Sequence, residues 1–260
     1  VIFGFFRKKK SEVETEDSIV HSPKQLPFTT DLHSHLIPGI DDGSPDLETS
    51  VELIRGLETL GYRRLIVTPH VMADSYRNSS DTIRRGVDTL RDALARKRID
   101  IELDAAAEYY LDDEFLRRLD RKDILTIGGR MVLFETSYYN EPLSFLEQVY
   151  EISARGYQPL LAHPERYRYV VGNHEEFYGR LKEMGVLFQV NINSIGGFYG
   201  RDAAHKALWL AGKGWIDYLG SDLHTAKQLS FLENSLSLKS FHDAVSKNPI
   251  KNDEIEIIND

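Results

Sequence analysis

The chain is 260 residues long, carries 32 basic against 41 acidic residues for a net charge of −9, and contains no cysteine. The missing cysteine excludes disulfide frameworks, cysteine zinc sites, iron–sulfur clusters and thiolate nucleophiles. The acidic balance argues against a general nucleic-acid binder, which presents a basic face, and the length suits one large domain or two small ones.

The chain opens on Val1-Ile2-Phe3-Gly4-Phe5-Phe6, then Arg7-Lys8-Lys9-Lys10 and an acidic run over 12–17. An apolar run ahead of its charges reverses the order of a signal peptide, and no stretch nears the roughly 20 apolar residues of a membrane span. The expectation is a cytoplasmic protein without stable membrane insertion. Residues 1–27 read as a disordered tail, 28–247 as one domain, and 248–260 as an acidic C-terminal tail in which Ile255, Ile257 and Ile258 can pack.

The first helix is marked by Ser44 as N-cap, Pro45 in the first turn and Gly61 as the stop. Between them Leu47, Val51, Ile54, Leu57 and Leu60 recur every three or four residues and make one apolar face. Strands are expected at 29–33, 65–68, 101–106, 131–135, 159–162, 187–191 and 218–221. Helices follow at 79–97, 112–120, 143–155, 174–184, 203–213 and 228–247. This alternation means an α/β fold with a parallel sheet covered by helices. At about 220 residues a closed barrel of seven or eight units fits better than an open doubly wound sheet.

The residues that end these strands carry the chemistry. Strand one ends in Asp31-Leu32-His33-Ser34-His35, with Asp41-Asp42-Gly43 in its loop. The next ends are Thr68-Pro69-His70, Glu108, Glu135, His163-Pro164-Glu165-Arg166 and Ser221-Asp222-Leu223-His224. In βα barrels the C-terminal strand ends converge on one site. Imidazoles with carboxylates suit Mn, Fe or Zn rather than a soft metal, and the many carboxylates need several cations to coexist. Each residue alone has an ordinary alternative: Asp42 as turn chemistry, Asp222 as a helix cap, His70 as a packed side chain. Arg166 offers a fork for phosphate. The amides of 189–193 are candidates to orient ligands. His21, His174, His205 and His242 fall outside this pattern and read as ordinary.

The ordered set of motifs resembles the polymerase-and-histidinol-phosphatase (PHP) superfamily, and within it the bacterial protein-tyrosine phosphatases of capsule and exopolysaccharide gene clusters. The resemblance covers about residues 28–250 and implies a distorted (β/α)7 barrel with three metal ions, usually manganese. It implies that His33, His35, Glu108 and Asp222 hold one ion. Glu108 then bridges to a second ion shared with Glu135 and His163, and Asp42, His70 and His224 hold the third. Arg166 matches the family's phosphate-binding arginine, whereas only Lys227 stands where many relatives carry another. His70, Asp222 and His224 are the candidates for proton transfer. The implied reaction is hydrolysis of a phosphomonoester, and the implied partner is a phosphotyrosine-bearing protein, a bacterial tyrosine kinase with a Tyr-rich tail.

Other readings stay open on sequence alone. A histidinol-phosphate phosphatase would use the same ligands. An amidohydrolase-type barrel would need a lysine where Glu135 stands and a histidine where Asn191 stands. A non-catalytic regulator would be expected to have lost ligand positions.

Overall fold

The computed structural model describes residues 26–257. The expected N-terminal tail, apart from Leu26 and Pro27, lies outside them, as does His21. The chain begins with β1 (Thr30–Asp31), α1 (Leu47–Leu60), β2 (Arg64–Val67), β3 (His70–Val71) and α2 (Ser80–Lys97). It continues through β4 (Glu102–Ala105), β5 (Glu108–Tyr110), α3 (Asp113–Arg121), β6 (Met131–Glu135), α4 (Phe145–Ala154) and β7 (Gln158–Ala162). After a 3₁₀ turn (Pro164–Arg166) come α5 (His174–Glu183), β8 (Leu187–Asn191), α6 (Ile192–Ile195) and α7 (Arg201–Gly212). Then follow β9 (Tyr218–Gly220), α8 (Ala226–Leu236), α9 (Lys239–Lys247) and a last 3₁₀ turn, Asn252–Glu254.

Every strand pairing is parallel, in the orders β1-β2-β4 and β3-β5-β6-β7-β8-β9, so the fold is mixed α/β with a curled parallel sheet. Two expected strands are each split. Pro69 has no N–H to give the ladder, which separates β2 from β3; Ala106-Ala107 separates β4 from β5. Backbone bonds still span the breaks, Ala106 N to Val67 O at 2.9 Å and Glu108 N to Pro69 O at 3.1 Å. Beyond β1, residues 33–35 touch both flanks: Thr68 N donates to Ser34 O (2.8 Å), Asp222 N to His33 O (2.8 Å), and His35 N to Leu223 O (3.0 Å).

Strands such as β2 and β6 are buried throughout because apolar side chains cover both faces. A small inner cluster holds Leu32, Ile66, Leu133 and Leu160, while a larger one packs the helices on the outside. α1 starts later than Ser44 suggests. Asp46 is the cap, accepting from Thr49 N at 2.8 Å, and Gly61 ends the helix at φ 108°. Ser44 is committed to the preceding loop, its N–H donating to His35 O at 3.0 Å. The single helix expected over 228–247 is two, because Leu238 turns extended between α8 and α9.

The segment expected as a C-terminal tail is packed through Ile255. Asn252 Nδ2 donates to Thr30 O (2.9 Å) and Leu219 O (2.7 Å), and Asp253 accepts from the backbone of Thr29 and Thr30. Ile255 joins the inner cluster, its carbonyl bonded by Arg64 Nη1. Ile257 is exposed, and Ile258 lies outside the described residues. These contacts tie the chain's end to the starts of β1, β2 and β9, leaving the opposite strand ends for the site.

Candidate metal centre

His33 and His35 leave β1 fully buried. Their neighbours set their tautomers. Gln189 Nε2 donates to Asn191 Oδ1 at 2.8 Å, which turns Gln189 Oε1 onto His33 Nδ1 at 2.7 Å. Asp41 Oδ2 meets His35 Nδ1 at 2.9 Å. These contacts place a proton on each Nδ1, which leaves each Nε2 as the ring atom offered to the centre. The two Nε2 atoms lie 3.2 Å apart. Close backbone approach makes this possible: a Cβ on Gly43 would sit 2.1 Å from His35 O, and one on Gly220 2.8 Å from His33 Cβ.

Glu108 enters from β5, in register with His70 of β3. Its Oε2 faces His33 Nε2 (3.4 Å), His35 Nε2 (3.3 Å) and His70 Nδ1 (3.0 Å), yet receives no well-angled hydrogen bond. Asp222 Oδ1 is 3.5 Å from both His33 Nε2 and His35 Nε2. The His33, His35 and Glu108 atoms, 3.2–3.4 Å apart, match the edges of about 3.4 Å between ligands held about 2.1 Å from one cation, with Asp222 Oδ1 beside the two imidazoles. The residues present therefore fit a metal ion.

Two further groups adjoin this one. Glu135, at the end of β6, lies 3.1 Å from His70 Nδ1 and 3.9 Å from His163 Nε2; His163 Nε2 also meets Glu108 Oε1 at 2.8 Å. Nearer the mouth, Asp42 Oδ1 is 3.4 Å from His70 Nε2 and 3.6 Å from His224 Nε2, with His35 close enough to share that group. All nine residues singled out as ligand candidates thus meet at one end of the sheet. Two hold left-handed backbone, His163 at φ 34° and Asp222 at φ 49°, and strain of this kind costs about 1–3 kcal/mol.

The electrostatics are those of carboxylates and imidazoles that hold one another in their charged forms. Burial disfavours the imidazolium of His33, but Glu108 and Asp222 outweigh it and lift the pKa to about 9. The same balance, with Glu108 and Glu135, carries His70 to about 12. Burial would raise Glu108, yet the surrounding imidazoles hold it well below the usual carboxylate range.

Arg166 sits on the 3₁₀ turn after β7, and its Nη1 donates to Asp222 Oδ2 at 2.7 Å. Its Cζ lies 4.5 Å from the Tyr138 ring and 4.1 Å from the Tyr199 ring, a guanidinium between two aromatic faces. Asn191 Nδ2 (2.7 Å) and Tyr199 OH (3.3 Å) also donate to Asp222 Oδ2. The cavity above holds about 600 Å³ and is walled by Tyr76, Tyr138, Tyr139, Phe198 and Tyr199, with Asp42, His70, Glu135, Asp222 and His224 also on its lining.

Sequence reasoning passed over Asp41, which the adjacent Asp42 obscured, and the tyrosines, which look like ordinary core residues. Lys227 is exposed, its Nζ 5.7 Å from the Phe198 ring, and does not line the cavity. His174, His205 and His242 lie on α5, α7 and α9, away from the cluster.

The profile of the family described as capsular polysaccharide synthesis, CpsB/CapC, matches residues 29–235. The tyrosine-protein phosphatase YwqE of Bacillus subtilis is 29% identical over 202 residues, 77% of this chain and 79% of that protein. The putative tyrosine-protein phosphatase CapC of Staphylococcus aureus is 24% identical over 235 residues, 88% and 91% of the two chains. The solved structures of YwqE and of CpsB from Streptococcus pneumoniae are described as unique metal-dependent tyrosine phosphatases. The chain compared from that work superposes with TM-score 0.73 at 25% identity, covering 88% of this chain and 96% of that one. A Listeria monocytogenes lactonase shares the fold at TM-score 0.57 and 13% identity, covering 93% and 100%.

Proposed function

The chain belongs to the capsular polysaccharide synthesis CpsB/CapC family, and we propose that it is a metal-dependent tyrosine phosphatase acting through the cluster around Glu108. The observation that carries this reading is the pair of Nε2 atoms of His33 and His35 converging with Glu108 Oε2 and Asp222 Oδ1. Lone pairs and carboxylate oxygens so arranged repel one another unless protons or a cation lie between them.

His33, His35, Glu108 and Asp222 would hold one ion. Glu108, Glu135 and His163 would hold a second, and Asp42, His70 and His224 a third; manganese is the family expectation, with iron or zinc as alternatives. Such ions supply positive charge for phosphoryl oxygens and lower the pKa of water enough for attack near neutral pH.

The chain's own groups do the rest. Arg166 offers the N–H edges not taken by Asp222 to the phosphate, and its flanking rings hold the guanidinium plane. Asp222 Oδ2 already accepts from Arg166, Asn191 and Tyr199, so Asp222 anchors rather than donates a proton. His224 Nδ1 is spent on the Asp222 carbonyl at 2.9 Å, and both nitrogens of His70 face carboxylates. A tyrosine leaving group, with a pKa of about 10, departs with little protonation. The aromatic walls favour an aryl ester over histidinol phosphate.

In the same reading the split strands together form the seven units of a distorted (β/α)7 barrel, supported by the bonds of residues 33–35 to both flanks. The domain would run from about residue 28 through the packed segment that ends at Ile255. Among the described residues no helix is long and apolar enough to cross a membrane. The proposed substrate is a phosphotyrosine-bearing kinase of polysaccharide synthesis and the proposed location is the cytoplasm; the family's part in capsular polysaccharide synthesis supports the former. The deciding experiment compares phosphate release from a phosphotyrosyl peptide and from histidinol phosphate, with Mn²⁺ supplied. Preference for the peptide supports the reading, and preference for histidinol phosphate overturns it.

A further inference from the structure

One arginine–tyrosine stack stands in the cavity wall and a second stands beside it on the outer surface. The inner one is Arg166 between Tyr138 and Tyr199, pinned to Asp222. The outer one is Arg168, whose Cζ lies 5.1 Å from the ring of Tyr139. The two are tied by one backbone bond, Arg168 N to Tyr138 O at 2.7 Å. Tyr139 lines the cavity and is also 63% exposed, so it spans mouth and outer surface. Arg168 is exposed, and among the described residues its guanidinium has no carboxylate or hydrogen-bond partner. Arg166 is held between two rings and bonded to Asp222, whereas Arg168 lies over one ring with its guanidinium donors unspent.

We infer that the Arg168–Tyr139 stack is a subsite for a carboxylate side chain on a residue flanking the phosphotyrosine of a polypeptide substrate. The inference rests on the phosphatase reading and adds a sequence preference to it. A phosphotyrosine whose phosphate meets Arg166 brings its own backbone up to the mouth, where Tyr139 begins the outer surface. The next residues of an extended peptide lie one Cα step of about 3.8 Å further each. A guanidinium laid on a ring keeps its edge donors in plane, the geometry a carboxylate takes in two parallel hydrogen bonds. The chain's net charge of −9 repels an acidic peptide at long range, so an unpaired cation on the rim is what admits one.

The test uses phosphotyrosyl peptides identical except for Glu, Ala or Lys at one flanking position, scanned on both sides, with p-nitrophenyl phosphate as a substrate without flanks. With the metal-loaded chain, Glu at the matching position should lower KM about two- to fivefold against Ala, and Lys should raise it. The effect should shrink as salt rises. Arg168→Glu should invert the order of the peptides and leave turnover of p-nitrophenyl phosphate unchanged, which also reports that the variant is folded. Tyr139→Ala should weaken the preference without inverting it. Equal KM values across all flanks, or an unchanged order in Arg168→Glu, would overturn the subsite while the phosphatase reading stands. No release from any peptide or from p-nitrophenyl phosphate would overturn that reading, and the subsite with it.

Discussion

Asp222 joins Arg166 to the imidazole cluster: its Oδ2 accepts from Arg166 Nη1 at 2.7 Å while its Oδ1 lies 3.5 Å from His33 Nε2. One carboxylate thus fixes the distance between the group that meets phosphate and the groups that would hold metal. Arg166→Ala should raise KM for a phosphotyrosyl peptide about ten- to a hundredfold, the worth of a hydrogen bond to a charged group. Arg166→Lys should rescue little, because an ammonium neither stacks flat nor forks. Steady-state kinetics check both.

The rings act through the arginine. Tyr138→Leu or Tyr199→Leu should raise KM several-fold, by about the 0.5–2 kcal/mol of a partly buried cation–π contact, while the Phe variants stay near wild type. In the Arg166→Ala background the Leu substitutions should cost almost nothing more. Full additivity in that double-mutant cycle contradicts the positioning role.

Gln189 sets the tautomer of His33 through a 2.7 Å contact. Gln189→Leu removes the acceptor without charge change, and metal affinity should fall about 10- to 100-fold. Equilibrium dialysis of the variant against metal buffers reads this directly. Affinity equal to wild type would show that the amide orients nothing.

The charge balance gives a pH signature in chelator. His33 is raised from the ordinary 6.5 to about 9, so its contribution to the stability of the metal-free chain is full below 6.5 and is lost as pH rises through 9. Glu108 is lowered, so its contribution is present above its ordinary 4.5 and is lost as pH falls through its folded value. The melting temperature of metal-free protein should therefore decline between pH 6.5 and 9, and metal loading should release protons over that range. A flat profile in chelator contradicts the assignment.

The packed C-terminus is testable on its own. Asn252 bridges Thr30 O and Leu219 O, and Asn252→Ala leaves both carbonyls without that donor. The loss should be about 1–3 kcal/mol in urea unfolding.

Much of this was legible in the sequence because chemistry sat at element ends. The His33-x-His35 spacing, Glu135 closing an apolar run and His163 before Pro164 placed the cluster without any tertiary information. The sheet's breaks were less legible: Pro69 announced one, but Ala106-Ala107 looks like any strand interior. The C-terminus misled because its anchors, Asn252 and Asp253, are polar residues that bond backbone groups far away in sequence, and polarity alone reads as solvent. Tyr138 and Tyr199 carried no periodic or motif signal, since a ring stacked on an arginine and a ring in a core look identical in sequence.

The most direct test strips the chain of metal, adds Mn²⁺ back in steps, and follows both bound metal and phosphate release from a phosphotyrosyl peptide. The account predicts no release from stripped protein and a rise that tracks metal bound at the cluster, abolished in His33→Ala and Asp222→Ala. Undiminished release from protein shown to hold no metal would contradict it.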